Sequence, residues 1–401
     1  MELLSPAGNL EKLKYAYLYG ADAAYIGIRS FSLRARADNF TSEEWKEIET
    51  IKGDRKLYGA MNIFFHNRDL RDLEKNLDYL SLYPFDAFIV SDLGGYALLR
   101  KYFPDRRFHL STQANCINRE AARMYRDMGF SRIILGRETS LTEIAEIRAA
   151  VPDIELEAFV HGAMCLAYSG RCYLSSYMAD RSANQGDCTH SCRWNYRVLE
   201  EKQRSGEYFP IVEGDGFTTI LSSKDLCMFD HLEELRDRGI DSIKIEGRMK
   251  SLYYTAVVTR SYRHALEKLE GSGQDLGPHR EELYKISHRE FSTGFYFDPR
   301  EADETSSTSY HRQYQFLGTV RNALGDGRFE MDVKNHIDAG TPVEFIGPDI
   351  LFEEDNRFRL FDGDGTEIYR ADHGKVCIIR PSVPVQPGYI LRSRIRTETA
   401  E

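Results

Sequence analysis

The strongest constraint on this chain is a rhythm. From residue 1 to about residue 250, short apolar runs of strand character alternate with amphipathic runs of helical period, as in parallel β/α units. Eight candidate strands stand out: Glu2–Leu4, Ala23–Ile28, Leu57–Ile63, Ala87–Val90, Phe108–Ser111, Arg132–Leu135, Glu155–Val160 and Ser242–Ile245. Two helix starts between them carry capping-box patterns, Thr41-x-x-Glu44 and Ser140-x-x-Glu143, in which hydroxyl and carboxylate satisfy orphan backbone N–H groups. Eight repeats predict a closed TIM-like (β/α)8 barrel. An open doubly wound sheet is the alternative, because one strand gained or lost changes the closure.

A barrel places its functional side chains directly after the strands, at the C-terminal face. Polar residues gather there: Ser5-Pro-Ala-Gly8, Arg34 and Arg36, Asn62, Ser91-Asp92, Thr112-Gln-Ala-Asn115, Arg137-Glu138, His161-Gly162 and Glu246-Gly-Arg248-Met-Lys250. Solvent-facing loops also begin with polar residues, so their joint occurrence carries the reading. Before the last strand comes a long insertion, residues 161–240, with a hairpin expected at Tyr196–Leu199 and Thr218–Leu221 and a helix at Lys224–Arg238. Helices follow at Leu252–Leu269 and Glu281–Ser287, and the polar stretch Glu301–Ser309 reads as a linker. Residues 1–310 are thus expected to be the barrel domain. Beyond Gln313 the texture changes to short β-rich runs, Phe316–Val320, Arg328–Val333, Pro342–Phe345, Phe358–Phe361 and Lys375–Ile379, so residues 311–401 are expected to form a small all-β barrel.

The net charge of −10 argues against broad, nonspecific nucleic-acid binding while leaving room for a local basic surface. The N-terminus, Met1-Glu-Leu-Leu-Ser-Pro, lacks the features of a signal peptide, and no apolar run approaches the roughly 18–20 residues of a membrane span. A cytoplasmic protein with no membrane partner is expected. Four of the seven cysteines, Cys165, Cys172, Cys188 and Cys192, crowd into the insertion with gaps of six, fifteen and three residues. In a reducing compartment that density points to metal ligation rather than disulfides. Four thiolates can hold tetrahedral zinc or a 4Fe–4S cluster. Zinc ribbons favour two short knuckles, and only Cys188 and Cys192 form one, so the spacing leans towards a cluster without excluding zinc or four unligated thiols. Cys116, Cys227 and Cys377 stand apart. Around the four lie Tyr168, Arg171, Tyr173, Tyr177, Arg181, His190, Arg193, Trp194, Tyr196 and Arg197, a set able to pair with phosphates and stack on bases, or to balance the charge of a thiolate centre.

The segment Glu157-Ala-Phe-Val-His-Gly-Ala-Met-Cys165-Leu-Ala-Tyr-Ser-Gly-Arg-Cys172-Tyr-Leu-Ser175 resembles the signature of the collagenase-like peptidase family, number thirty-two of the unknown-type peptidases. Further stretches, Glu2-Leu-Leu-Ser-Pro-Ala-Gly8, Tyr19-Gly-Ala-Asp22, Phe31-Ser-Leu-Arg34-Ala-Arg36, Ser111-Thr-Gln-Ala-Asn115, Asn184-Gln-Gly186, Cys192-Arg-Trp194 and Lys244-Ile-Glu-Gly-Arg248, resemble its branch that hydroxylates transfer RNA. The resemblance covers the barrel and continues weakly into the β-rich tail, while the stretch from Tyr196 to Thr219 is shorter than in longer bacterial members. It implies formation of 5-hydroxyuridine at the wobble position of a tRNA anticodon, with prephenate as co-substrate and a 4Fe–4S cluster on the four cysteines. Other branches imply alternatives: hydroxylation of a ribosomal cytidine, or an accessory role in oxygen-independent ubiquinone hydroxylation beside a like-folded partner. The chain would then act as a homo- or hetero-oligomer.

Proteolysis fits the residues poorly. No His-Glu-x-x-His motif is present, and His161 with Cys165 mimics a catalytic pair whose cysteine belongs to the four-sulfur set. For RNA hydroxylation, Arg34, Arg36, Arg137, Arg171, Arg248 and Lys250 are the candidate donors to an anionic co-substrate, with ion pairs to Glu138 or Glu246 as their structural alternative. Asn62, Gln113 and Asn115 offer paired donors and acceptors for a uracil edge or a co-substrate hydroxyl. His161, Glu138 and Glu246 are the candidates for proton transfer, His161 for its near-neutral pKa. Arg193, Trp194 and Arg197 are the candidate RNA contacts.

Overall fold

The computed structural model describes residues 1–28, 31–32, 44–165, 167–193, 212–214, 217–219, 223–297 and 310–395. Eight parallel strands close into a barrel: β1 (Glu2–Ala7), β2 (Ala23–Gly27), β3 (Lys56–Met61), β4 (Ala87–Val90), β5 (Arg107–Leu110), β6 (Arg132–Ile134), β7 (Glu155–Ala163) and β8 (Ser242–Ile245). Each pairs with its successor, and β8 pairs with both β7 (Lys244 opposite Phe159) and β1 (Glu2 opposite Ser242), which excludes an open sheet. Every expected barrel strand is present, with ends shifted by a few residues. The helix Leu141–Ala150 opens on the expected capping box: Ser140 N–H donates to Glu143 Oε2 at 2.8 Å and Glu143 N–H to Ser140 Oγ at 3.3 Å. Thr41 lies outside the described residues, and the helix Trp45–Lys52 starts from Glu44 without a side-chain cap.

TIM-barrel interiors are usually filled by branched aliphatic side chains. Here a charged network runs through the core. Arg132 Nη1 donates to Glu2 Oε1 at 2.6 Å and to Glu157 Oε2 at 2.9 Å, and Lys244 Nζ donates to Glu157 Oε1 at 3.1 Å. Ser242 Oγ donates to both carboxylates at 3.2 Å. Buried charges are tolerated only when paired and hydrogen-bonded, and these are. Burial pushes the Glu2 carboxyl up, but Arg132, Tyr58 and Lys56 outweigh it and hold the pKa at about 2.

The insertion departs from expectation in two places. Residues expected to be one helix from Lys224 begin instead as a short strand, Asp225–Cys227, antiparallel to the end of β7, and only Leu232–Asp237 is α-helical. Asp225 explains the change: it is buried and accepts from Arg289 N–H at 3.1 Å and Arg289 Nε at 3.0 Å, which fixes the segment against the barrel. The hairpin joins Val212–Gly214 to Phe217–Thr219, while Tyr196–Leu199 lies outside the described residues.

The expected C-terminal barrel does not close. Its sheet runs from Glu353–Asp355 through Val343–Ile346, Ile390–Arg394, Tyr314–Gly325, Arg328–Val333, Val376–Arg380 and Arg359–Phe361 to Glu367–Ile368, and no pairing among the described residues joins its two edges. It is a half-barrel, ending in two short edge strands. One central strand, Ile390–Arg394, was not expected, because its sequence Ile-Leu-Arg-Ser-Arg alternates poorly. Its Arg392 is buried and reaches Glu282 twice (2.7 and 2.8 Å), Glu344 Oε2 (2.7 Å) and Tyr253 OH (2.8 Å), tying the half-barrel to the helices Leu252–Leu269 and Gly277–Lys285. No helix among the described residues is long and apolar enough to cross a membrane.

Candidate active site

A cavity of about 260 Å³ opens at the C-terminal face of the barrel. The ends of β2 to β8 supply one part of its wall and the cysteine insertion supplies the rest, with Cys165, Cys172, Cys188 and Cys192 all lining it. Among the described residues, no three histidine, cysteine, aspartate or glutamate side chains stand close enough together to hold a metal ion. In kind, four thiols round one cavity suit a thiolate-ligated centre.

The insertion is pinned to the strand ends by its own polar groups. Glu138, after β6, accepts from both the backbone N–H and the hydroxyl (2.7 Å) of Ser169, and Asn115 Oδ1 also accepts from that hydroxyl at 2.8 Å. Ser169 and Asn115 both have left-handed backbones, at φ 45° and 59°. Cys172 N–H donates to Asn184 Oδ1 at 3.1 Å, His190 N–H to Cys188 Sγ at 3.4 Å, and Arg171 Nε to the Gln113 carbonyl at 2.8 Å. Glu138, Asn115 and Arg171 therefore hold the loop of Cys165 and Cys172.

The barrel side of the cavity carries two chemistries. Arg137 (after β6), Lys244 (in β8) and Arg248 (after β8) form a cationic arc. Arg137 lies over the Phe159 ring and 3.5 Å from Glu246 Oε2, while Arg248 donates to Ser32 Oγ. Burial lowers the Lys244 pKa, against the pull of Glu157. Beside it, Asn62 (after β3), which shares Ser32 with Arg248, and Thr112 and Gln113 (after β5) form a neutral arc. Asn62 Oδ1 accepts from Ser32 Oγ at 3.5 Å, and its carbonyl from Ser91 Oγ at 3.0 Å. Thr112 Oγ1 and Gln113 Oε1 are buried with no hydrogen-bond partner among the described residues. Buried polar atoms are seldom left so.

His161 is elsewhere. Strand alternation from Glu157 and Phe159 would turn it inward, but the register between β7 and β8 shifts between Lys244 and Ile245, so a bulge at Val160 reverses the face. Its ring packs among Tyr254, Tyr262 and Phe291, with Nδ1 3.3 Å from Tyr262 OH. Burial drives its pKa down to about 3, so it is neutral at physiological pH. Lys250 turns to the Ser287 carbonyl at 3.5 Å and to the Tyr310 ring. Arg34, Arg36, Trp194 and Arg197 and the side chain of Arg193 lie outside the described residues.

Thr112 stands in the polar stretch after β5 that the sequence marks, whereas the sequence assigns no site role to Lys244 or Tyr25. Lys244 had a readable signal: a lysine between two isoleucines on a barrel strand, at the position opposite Phe159, must point into the barrel.

A closed (β/α)8 barrel whose mouth is capped by a cysteine-rich insertion, followed by a half-barrel sheet docked on its outer helices, defines the class of protein. The chain belongs to peptidase family U32: the model of that family matches residues 8–306, and that of the family's C-terminal domain matches residues 312–392. Its relatives include tRNA hydroxylation protein P1 of Bacillus subtilis, 38% identical over 93% of this chain and 89% of that protein. The tRNA hydroxylation protein P of Helicobacter pylori is 37% identical over 99% of both chains. A collagenase of Porphyromonas gingivalis is 30% identical over 86% of each.

Proposed function

We propose that this protein is a tRNA-modifying hydroxylase that forms 5-hydroxyuridine at the wobble position of the anticodon, with prephenate as co-substrate and a 4Fe–4S cluster on Cys165, Cys172, Cys188 and Cys192. The observation that carries the reading is the convergence of all four thiols and the polar strand ends on one cavity. Relatives named for tRNA hydroxylation along nearly the whole chain support the substrate.

Cys165, Cys172, Cys188 and Cys192 would hold the cluster, which when bound would supply electron transfer beside the cavity. The two arcs divide the remaining work. Arg137 and Arg248 bind the carboxylates of prephenate through charge-assisted hydrogen bonds, with Lys244 as a third positive charge. Thr112, Gln113 and Asn62 face the uracil, whose imide N–H and carbonyls complement amide and hydroxyl groups. A base in a stem-loop must leave its stack to reach them. Glu246 is the one carboxylate lining the cavity among the described residues, and it handles the proton of the reacting carbon. The buried, neutral His161 holds the end of β7 instead.

Mass spectrometry of tRNA nucleosides from a deletion strain tests the proposal. Wobble 5-hydroxyuridine and its derivatives should disappear and return with the intact gene but not with Cys172→Ser. Unchanged modification in cells lacking the protein and any paralogue would sink it.

A further inference from the structure

The cysteine insertion carries three large aromatic side chains that stand exposed. Tyr168, Tyr173 and Tyr177 are 54%, 75% and 78% exposed, all within ten residues of one another. Aromatic side chains are the largest contributors of apolar area, and a cluster left in water marks a surface that meets something.

Their placement says what they meet. Tyr173 caps the helix Leu174–Ala179, and Tyr177 N–H bonds to the Tyr173 carbonyl at 3.0 Å, so the two rings stand one turn apart on the same side. Leu174 and Ser175 of that same helix line the cavity. Tyr168 opens the turn Tyr168–Gly170, whose Gly170 also lines the cavity and whose Ser169 is clamped by Glu138 and Asn115. At the other end, Ser175 Oγ accepts from Thr189 N–H at 3.0 Å. The rings therefore sit on backbone fixed at both ends, directly outside the mouth. Arg171 is exposed among them, and the Arg68 side chain, 68% exposed, reaches Gln185 Oε1 at 3.3 Å on the same rim.

We infer that Tyr168, Tyr173 and Tyr177 form a stacking platform for the unpaired nucleotides of an RNA loop on either side of the one that enters the cavity. This rests on the RNA reading above. Rings on a fixed backbone, with guanidinium groups alongside, match a single strand, which offers base faces and phosphates together. A regular duplex hides its base faces. The platform also gives an acidic protein a local means of holding RNA that does not depend on overall charge.

The test is binding of a labelled anticodon stem-loop RNA to the full chain, followed by fluorescence anisotropy at one fixed salt concentration, with a blunt RNA duplex as comparison. Tyr173→Ala and Tyr177→Ala should each weaken loop binding about fivefold or more, the lower range for loss of one base–aromatic stack. Tyr173→Phe and Tyr177→Phe should bind as the unaltered chain does. Because both positions are exposed, thermal unfolding should be unchanged in all four variants. Alanine variants that bind the loop undiminished overturn the platform, as do phenylalanine variants that bind as poorly as alanine. An unaltered chain that binds the loop no better than the duplex overturns the RNA reading itself, which is a separate outcome.

Discussion

Cysteine is the residue on which the chemistry of this protein divides. Burial pushes the thiols of Cys116 and Cys377 up to about 12 and that of Cys227 to about 11, so these three are inert near neutral pH. The four in the insertion line the cavity, and Cys165 is exposed. Protein purified without air should accordingly lose most of its iron and sulfide in Cys165→Ser, Cys172→Ser, Cys188→Ser or Cys192→Ser and keep both in Cys116→Ser. Iron content unchanged in all four of the former would refute the ligand assignment. Sequence density was enough to separate the two groups of cysteines. It could not separate Glu138 from Glu246, since both directly follow a barrel strand; only the contacts of Ser169 show that the first anchors the cysteine loop. Glu138→Ala leaves the Ser169 backbone N–H without its partner, while the hydroxyl keeps Asn115 Oδ1, at a cost of about 1–3 kcal/mol. That variant should bind iron less firmly, whereas Glu246→Gln should retain its iron and lose hydroxylation.

Periodicity made the barrel strands readable as elements, because an apolar run followed by a polar end repeats in each unit and the hydrophobic pattern alone sets which face is buried. It could not reveal the bulge in β7. One extra residue at Val160 changes no composition, yet it moves His161 from the cavity to the packing between β7 and the helix Leu252–Leu269. The consequence is measurable as pH dependence. An unfolded chain takes up a proton on this imidazole near pH 6.5 and the folded one only near pH 3, because burial and the nearby Lys250 and His288 charges outweigh Asp225. The contribution is complete above about pH 6.5 and drains away as the pH falls towards 3. His161→Phe removes this term, while Tyr262 OH keeps its bond to the Val160 carbonyl at 2.8 Å. Urea midpoints of the variant should therefore fall less steeply between pH 6 and pH 4 than those of the unaltered chain. Parallel curves would mean that His161 is solvated in the folded state.

At the scale of the whole molecule, the unexpected feature is how the second sheet is attached. Reading the tail as a closed barrel assumed that it satisfies its own edges; the half-barrel instead relies on the first domain. Arg392 carries much of that reliance, and neither its burial nor its partners could be read from a chain in which Glu282, Glu344 and Tyr253 are far away in sequence. Its guanidinium is fully buried against two carboxylates, and Arg260 Nη1 adds bonds to the carbonyls of Gly347 (2.7 Å) and Leu351 (3.0 Å) across the same contact. Removing one member of a buried ion pair costs about 3–5 kcal/mol, because the remaining charge is left without compensation. Glu282 would retain Lys285 at 2.9 Å and Arg260 at 3.4 Å, which places Arg392→Met at the lower end of that range. Since the loss falls at the junction, calorimetry should show the half-barrel melting ahead of the barrel in this variant, where the unaltered chain melts in one transition. A combined Arg392→Met and Glu282→Gln variant should lose more than Arg392→Met alone, because the second change takes the carboxylate from Lys285 and from the buried Arg260. A single transition at an unchanged temperature in Arg392→Met would mean that apolar contacts such as those of Ile346 and Ile390, which belong to the core of the first domain, hold the two sheets together unaided.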